Sequence, residues 1–180
     1  MRDKARSEAT RLALLTAALD VAAEYGVKGI THRRVAQAAG LSLGLTSYHF
    51  SSLDALVLQA FKLFVSTTTS RYEEHFLAAT DQEGVVEAAL AMVTALKDSQ
   101  RDRTLVYELY AQSVRDPTYR DITAQWSRAA RAQVERLYDP RTARHLEAAW
   151  EGINVQMIYD RAERTDDELR ELFRLVLSHT

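Results

Sequence analysis

Thr31–Phe50, THRRVAQAAGLSLGLTSYHF, reads as two short helices joined by a tight turn. Thr31 is placed to cap the first, over about 32–38, and Ser42 the second, over about 43–49. Such hydroxyls accept from backbone N–H groups in the first turn. Gly40 permits the turn between the helices. Val35, Ala36 and Leu41 supply small apolar contacts that hold the pair crossed. Hydrogen-bond donors then crowd the end of the second helix at Thr46, Ser47, Tyr48 and His49. This is the build of a helix-turn-helix, whose second helix enters the major groove of DNA.

Outward from this segment the chain reads as all-α, with about nine helices. Leu12, Leu15, Leu19 and Ala22 form one apolar stripe of a helix over about 8–25, closed by Gly26. Ser52 opens a helix over about 53–78. Asp81 opens one over about 82–98, and Asp102 one over about 103–114. Asp116-Pro117 and Asp139-Pro140 each set an N-cap before a proline at the first helical position. They start helices over about 117–138 and 140–162. Thr165-Asp166-Asp167-Glu168 is a capping box for a last helix to about 178. The expected division is a helix-turn-helix domain with a basic N-terminal arm over 1–53, and a helical regulatory and dimerisation domain over 54–180.

Charge follows the same division. The net charge of the 180 residues is only −2. Residues 1–53 nevertheless hold seven Lys and Arg against four Asp and Glu, a balance of +3, and the remainder carries −5. A basic head on an acidic body fits phosphate contact confined to one end. There is no cysteine, which excludes disulfides and thiolate chemistry. No apolar run approaches the roughly 18 residues of a membrane span. The first residues, MRDKARSEATR, lack the apolar core of a signal peptide, so the expected location is the cytoplasm, with no membrane partner.

Within the head, Tyr48 and His49 suit phosphate oxygens, which set register without reading sequence. Arg33 suits a guanine or a phosphate. Gly44 lets backbone come close to DNA. Arg2, Lys4, Arg6 and Arg11 add backbone or minor-groove contacts if the arm is flexible.

The far end carries a surplus of apolar surface. Leu146, Trp150, Ile153 and Met157 lie on one face of the 140–162 helix, with Val155 and Ile158 off it. Leu169, Leu172, Phe173 and Val176 line the last helix. Two readings stand: a four-helix bundle between two copies, or packing within one domain. Phe61, Phe64, Met92, Tyr107, Tyr110 and Trp126 either line a small-molecule pocket or fill a core.

Catalytic constellations are missing. There is no Gly-rich phosphate loop and no paired-His metal motif. Ser47 and His49 lie two apart on a short helix, so their side chains diverge rather than forming a triad with Asp54. His75, His145 and His179 are scattered singles. No enzyme activity, cofactor or metal is expected.

The residues Arg11, Leu14-Leu15, Ala17-Ala18, Tyr25-Gly26, Thr31, Arg33-Arg34-Val35-Ala36, Ala39-Gly40-Leu41-Ser42, Gly44, Tyr48-His49-Phe50 and Leu53-Asp54-Ala55-Leu56 together resemble the DNA-binding domain of the tetracycline-repressor (TetR) family of bacterial regulators. The resemblance covers about a quarter of the chain. It implies a homodimer on a pseudo-palindromic operator, repression of transcription, and release by a small ligand. It favours the dimer reading of the last two helices. It implies base-facing positions at Arg33, Leu43, Gly44, Leu45 and Ser47, and phosphate-facing positions at His32, Thr46, Tyr48 and His49. Two departures stand out. Leu53 occupies a position where a phosphate-binding Lys is common, and Ser47 one where Tyr is common. Base readout is therefore expected to lean on Leu43 and Leu45 meeting thymine methyls, and on Arg33.

The alternative is a helical interaction module whose helix-turn-helix meets a protein partner. A salt titration separates the two. DNA binding through several phosphates falls steeply with salt, with a log–log slope near −0.9 per phosphate.

Overall fold

The computed structural model describes residues 2–160 and 164–178, with side chains from Lys4 onward. Among these residues there are nine α-helices, one 3₁₀ turn and no strand, as the all-α reading expects. In order they are α1 (Arg2–Tyr25), the 3₁₀ turn Val27–Gly29, α2 (His32–Ala38), α3 (Leu43–His49), α4 (Leu53–Ala78), α5 (Gln82–Asp98), α6 (Gln100–Arg115), α7 (Pro117–Val134), α8 (Pro140–Tyr159) and α9 (Asp166–Ser178).

Local capping chemistry sets most of these boundaries. Thr31 Oγ1 accepts from Arg34 N at 3.1 Å, Ser52 Oγ from Ala55 N at 3.1 Å, and Asp81 Oδ1 from Gly84 N at 2.9 Å. Asp139 Oδ1 accepts from Arg141 N at 2.7 Å and from Thr142 N at 3.2 Å, with Pro140 in the first turn. The capping box is reciprocal: Thr165 N donates to Glu168 Oε2 at 2.7 Å, and Glu168 N to Thr165 Oγ1 at 3.3 Å.

Four expectations change. The segment before residue 8 is not an arm but the opening of α1. Arg, Lys and Ala there are good helix formers with no Gly or Pro to stop them. α6 starts at Gln100, ahead of Asp102, which sits in its first turn. α7 ends at Val134 rather than near Tyr138, because Leu137 N and Tyr138 N both turn back to Val134 O, at 3.0 and 3.1 Å. α8 ends at Tyr159, with Asp160 N bonded to Gln156 O at 2.8 Å; residues 161 and 162 of the expected helix lie outside the described residues, as does His179.

The chain forms two compact units. One gathers the chain up to Thr67 with Arg101–Thr123; the other gathers Thr68–Gln100 with the chain from Ala124 onward. In the first unit Leu14, Ala18, Val35, Leu56, Leu105 and Leu109 are all fully buried. Arg101 pairs with Asp20 at 2.7 Å, tying α6 to α1. In the second unit Phe76, Val86, Val93, Leu146, Trp150, Leu169 and Phe173 belong to one apolar core. Phe76 and Trp150 meet with ring centroids 6.2 Å apart. Glu147 of α8 accepts from Arg131 Nη1 and from Ser127 Oγ of α7, at 2.6 and 2.5 Å. Arg170 and Arg174 pair with Glu87 and Glu83, at 2.7 and 2.5 Å, on a solvated surface where such pairs contribute little.

Phe173 is 0 % exposed. Phe173→Ala should destabilise the second unit by about 3–5 kcal/mol, and Arg174→Ala by well under about 1 kcal/mol. Denaturant melts of the two variants test the difference.

Candidate nucleic-acid interface

The 3₁₀ turn that precedes α2 is fixed from three sides. Gly26 adopts φ +71°, open to glycine but strained for other residues. Glu108 of α6 accepts from Val27 N at 3.1 Å. Arg34 donates to Gly29 O at 2.7 Å, and its guanidinium lies 4.7 Å from the centroid of the Tyr25 ring. A Cβ at Gly29 would meet Tyr25 Cβ at 2.4 Å, so only glycine fits this turn. Arg33 and Arg34 look equivalent in sequence and both are exposed, but Arg34 is bonded to the scaffold at Gly29 O.

α2 ends in a Schellman-type turn: Leu41 N donates to Ala36 O at 2.9 Å, and Gly40 takes φ +65°. This turn aims α3. Ser42 precedes it but makes no side-chain cap bond, contrary to expectation; its carbonyl accepts from Leu45 N at 3.1 Å.

α3 has two faces. Thr46, 0 % exposed, and Phe50 face the head's core, with Leu45 and His49 half-buried beside them. Leu43, Gly44, Ser47 and Tyr48 face out. Residues three and four apart share a helix face, which is why these four come together. Tyr48 is 79 % exposed, and its ring stands edge-on to that of His49 at 5.1 Å.

Of the nine positions expected to meet DNA, Arg33, Leu43, Gly44, Ser47 and Tyr48 are exposed, and His32, Leu45 and His49 are half-buried. Thr46 is the exception. Its hydroxyl donates to Leu43 O at 2.7 Å inside the head, so it holds α3 rather than reaching a phosphate. Arg11 also differs from its expected role: it bonds Gln59 and lies over the Phe50 ring at 5.7 Å. Lys4 and Arg6 remain exposed on α1.

Residues 14–60 match the model of bacterial regulatory proteins of the tetR family, and residues 80–179 match that of the tetracyclin repressor-like C-terminal domain. The chain belongs to the tetR family of bacterial regulatory proteins. A transcriptional regulator of Streptomyces coelicolor A3(2) has a similar structure, with TM-score 0.84 and 37 % identity over 93 % of this chain and 97 % of that one. The multidrug binding protein EbrR, complexed with ethidium, is similar at TM-score 0.72 and 28 % identity, over 93 % of this chain and 98 % of that one. The HTH-type transcriptional regulator PksA of Bacillus subtilis (strain 168) is 31 % identical over 114 residues, 61 % of this chain and 55 % of that protein. The chain spans about half the length of the curated relatives it matches.

The tetR-family body places the other expected residues as follows. Phe61 is 1 % exposed against Tyr119, at 5.9 Å between centroids, and Phe64 is buried in the same unit. Burial, with the Asp116 and Asp54 carboxylates, pushes Tyr119 up to about 12, so it stays neutral in this core. Tyr107 and Tyr110 are half-buried and edge-on at 6.2 Å. Met92 belongs to the core of the second unit. Phe61, Phe64 and Met92 are all buried. Trp126 borders a small cleft, with room for about one water molecule, lined also by Thr69, Tyr72, Glu73, Phe76, Ala129, Ala130 and Gln133. Gln133 Oε1 is buried without a hydrogen-bond partner. Sequence reading missed Tyr72 and Phe76, whose signal was the aromatic spacing of four along α4.

Five residues of the expected dimer stripe are buried within their own chain. Leu146, Trp150, Ile153, Leu169 and Phe173 are core residues of their own chain, and Met157, Leu172 and Val176 pack partly buried against them. The exposed apolar surface of α8 and α9 lies elsewhere, at Val155, Ile158, Tyr159 and Leu175. Periodicity marks an apolar face but not what covers it. Among the described residues no group of three or more metal-ligating side chains is found, and no single helix is long and apolar enough to cross a membrane.

Thr46 is a scaffold residue in this geometry. Thr46→Val should retain its packing but lose the bond to Leu43 O, lowering stability by about 1 kcal/mol. Thermal unfolding of the variant checks this.

Proposed function

We propose that the chain is a transcriptional repressor that binds a pseudo-palindromic DNA operator as a homodimer and is released by a small molecule. In this reading residues 1–53 carry the DNA contacts and residues 54–180 the regulation. The observation that carries it is the outward face of α3. A seven-residue helix is anchored by Thr46 and Phe50 and presents Leu43, Gly44, Ser47 and Tyr48 to solvent. Gly44 has nothing within 4 Å of an added Cβ, so the fold itself does not demand glycine there. Close approach of a duplex does. His49 and Tyr48 then flank the contact as phosphate ligands, with Arg33 beside them on α2.

Pairing supplies the second half-site. Ala148, Gly152, Val155 and Tyr159 are exposed at spacings of 4, 3 and 4 along α8, one continuous stripe on the side away from its core residues. Leu175 on α9 adds to the exposed apolar surface, at 55 % exposure. A second copy covering this face makes the homodimer, and a homodimer reads successive major grooves when its two α3 helices stand about 34 Å apart. A dimer held on a promoter blocks access to it, which supports repression.

The effector would be an aromatic cation. The cleft of Tyr72, Phe76 and Trp126 carries Glu73 and the unpartnered Gln133 oxygen as acceptors. EbrR, a similar protein, is complexed with the aromatic cation ethidium. Release requires a ligand that favours one spacing of the two heads over another.

Footprinting on DNA that the chain selects should show protection with two-fold symmetry, and an asymmetric single half-site would contradict the dimer. Gly44→Ala should stabilise α3 by up to about 1 kcal/mol yet weaken operator binding. Val155→Glu should give a folded monomer by light scattering, with operator affinity reduced. A fully dimeric Val155→Glu would overturn the proposed interface.

A further inference from the structure

We propose that Leu43 reads a thymine 5-methyl group in the major groove, and that this contact sets the base preference of each half-site. The inference rests on the DNA-binding reading of α3. Leu43, the first residue of the helix, is an apolar side chain left 52 % exposed to water. Beside it, Gly44 leaves open space where a side chain would hold a partner away.

The neighbours narrow the chemistry. Side chains that discriminate guanine or adenine by paired hydrogen bonds are Arg, Lys, Asn and Gln. The outward face of α3, made of Leu43, Gly44, Ser47 and Tyr48, has none of them. Ser47 donates or accepts and fits any base. With Arg33 lying on α2, what remains on the α3 face itself to discriminate is apolar contact. In the major groove of unmodified DNA the thymine methyl is the apolar group that a base edge offers. Leu45 is the weaker reader because it is half-buried on the flank of the helix, next to the anchored Thr46. A 5-methylcytosine presents the same methyl group at the same ring position and would satisfy Leu43 equally.

The test uses the full chain and a duplex enriched on it from a random pool. Each thymine is replaced in turn by deoxyuridine, which removes the methyl and leaves the hydrogen-bonding edge intact. One thymine per half-site should lose about fourfold in affinity, the worth of burying one methyl-sized group. That loss should vanish in Leu43→Ala and in Leu43→Gln, which keeps bulk but not apolarity. At the sensitive position 5-methylcytosine should bind more tightly than cytosine by a similar factor. The proposal is overturned if every thymine tolerates deoxyuridine, if the enriched half-site lacks thymine, or if the sensitive thymine stays sensitive in both variants. Enrichment with no methyl dependence overturns the Leu43 assignment alone; failure to enrich any duplex overturns the DNA-binding reading with it. Leu43 is exposed, so both variants should retain the thermal midpoint of the parent.

Discussion

A helix of seven residues has no stability of its own in water; isolated helices shorter than about 12 residues are marginal even in favourable sequences. α3 therefore depends wholly on what holds it from beneath. Thr46 ties its hydroxyl to Leu43 O at 2.7 Å and sits fully buried, Phe50 closes the C-terminal end, and the Gly40 turn fixes the angle from α2. The turn before α2 is held in its turn by Arg34 and Glu108. Each of these contacts leaves the outer face of α3 untouched. The scaffold and the reading surface are thus separate sets of residues on one short helix, and substitutions in the two sets have separable effects.

The division of labour extends to α6. Its Arg101 and Glu108 reach Asp20 and Val27 across 81 residues of sequence each. α6 thereby belongs to the same compact unit as α1 to α3, although it follows α5 in the chain. Glu108 thereby ties α6 to the turn that precedes α2. Gly26 lies at that point: a Cβ there would stand 3.0 Å from Glu108 Oε1, so the contact is close as well as directional.

What was readable from sequence follows the range of the forces involved. α2, α4 and α5 fall on their expected residues because caps act over three or four residues and are written in the local sequence, whereas α3 does so without a side-chain cap bond. α1 begins earlier than its apolar stripe, because Arg2 to Ser7 is helical without being amphipathic. The face of α3 was readable as a set of polar residues, but Thr46 was misplaced within it, since burial at one position of a short helix depends on the partner helix. The stripe Leu146, Trp150, Ile153 was readable as apolar, while its partner was not. Those side chains meet α5, α9 and Phe76 of α4 in their own chain, and the smaller stripe Ala148, Gly152, Val155 is the one left uncovered. The Glu108 contact had no local signature at all.

The central claim is that the outward face of α3 meets the major groove. The chain contains no cysteine, so Ser47→Cys creates a single attachment point for a photocrosslinker. With selected duplex bound, the probe at position 47 should crosslink to bases at one place in each half-site, while the same probe on the exposed Thr16→Cys of α1 should not. Crosslinking from position 16 with none from position 47 would contradict the account.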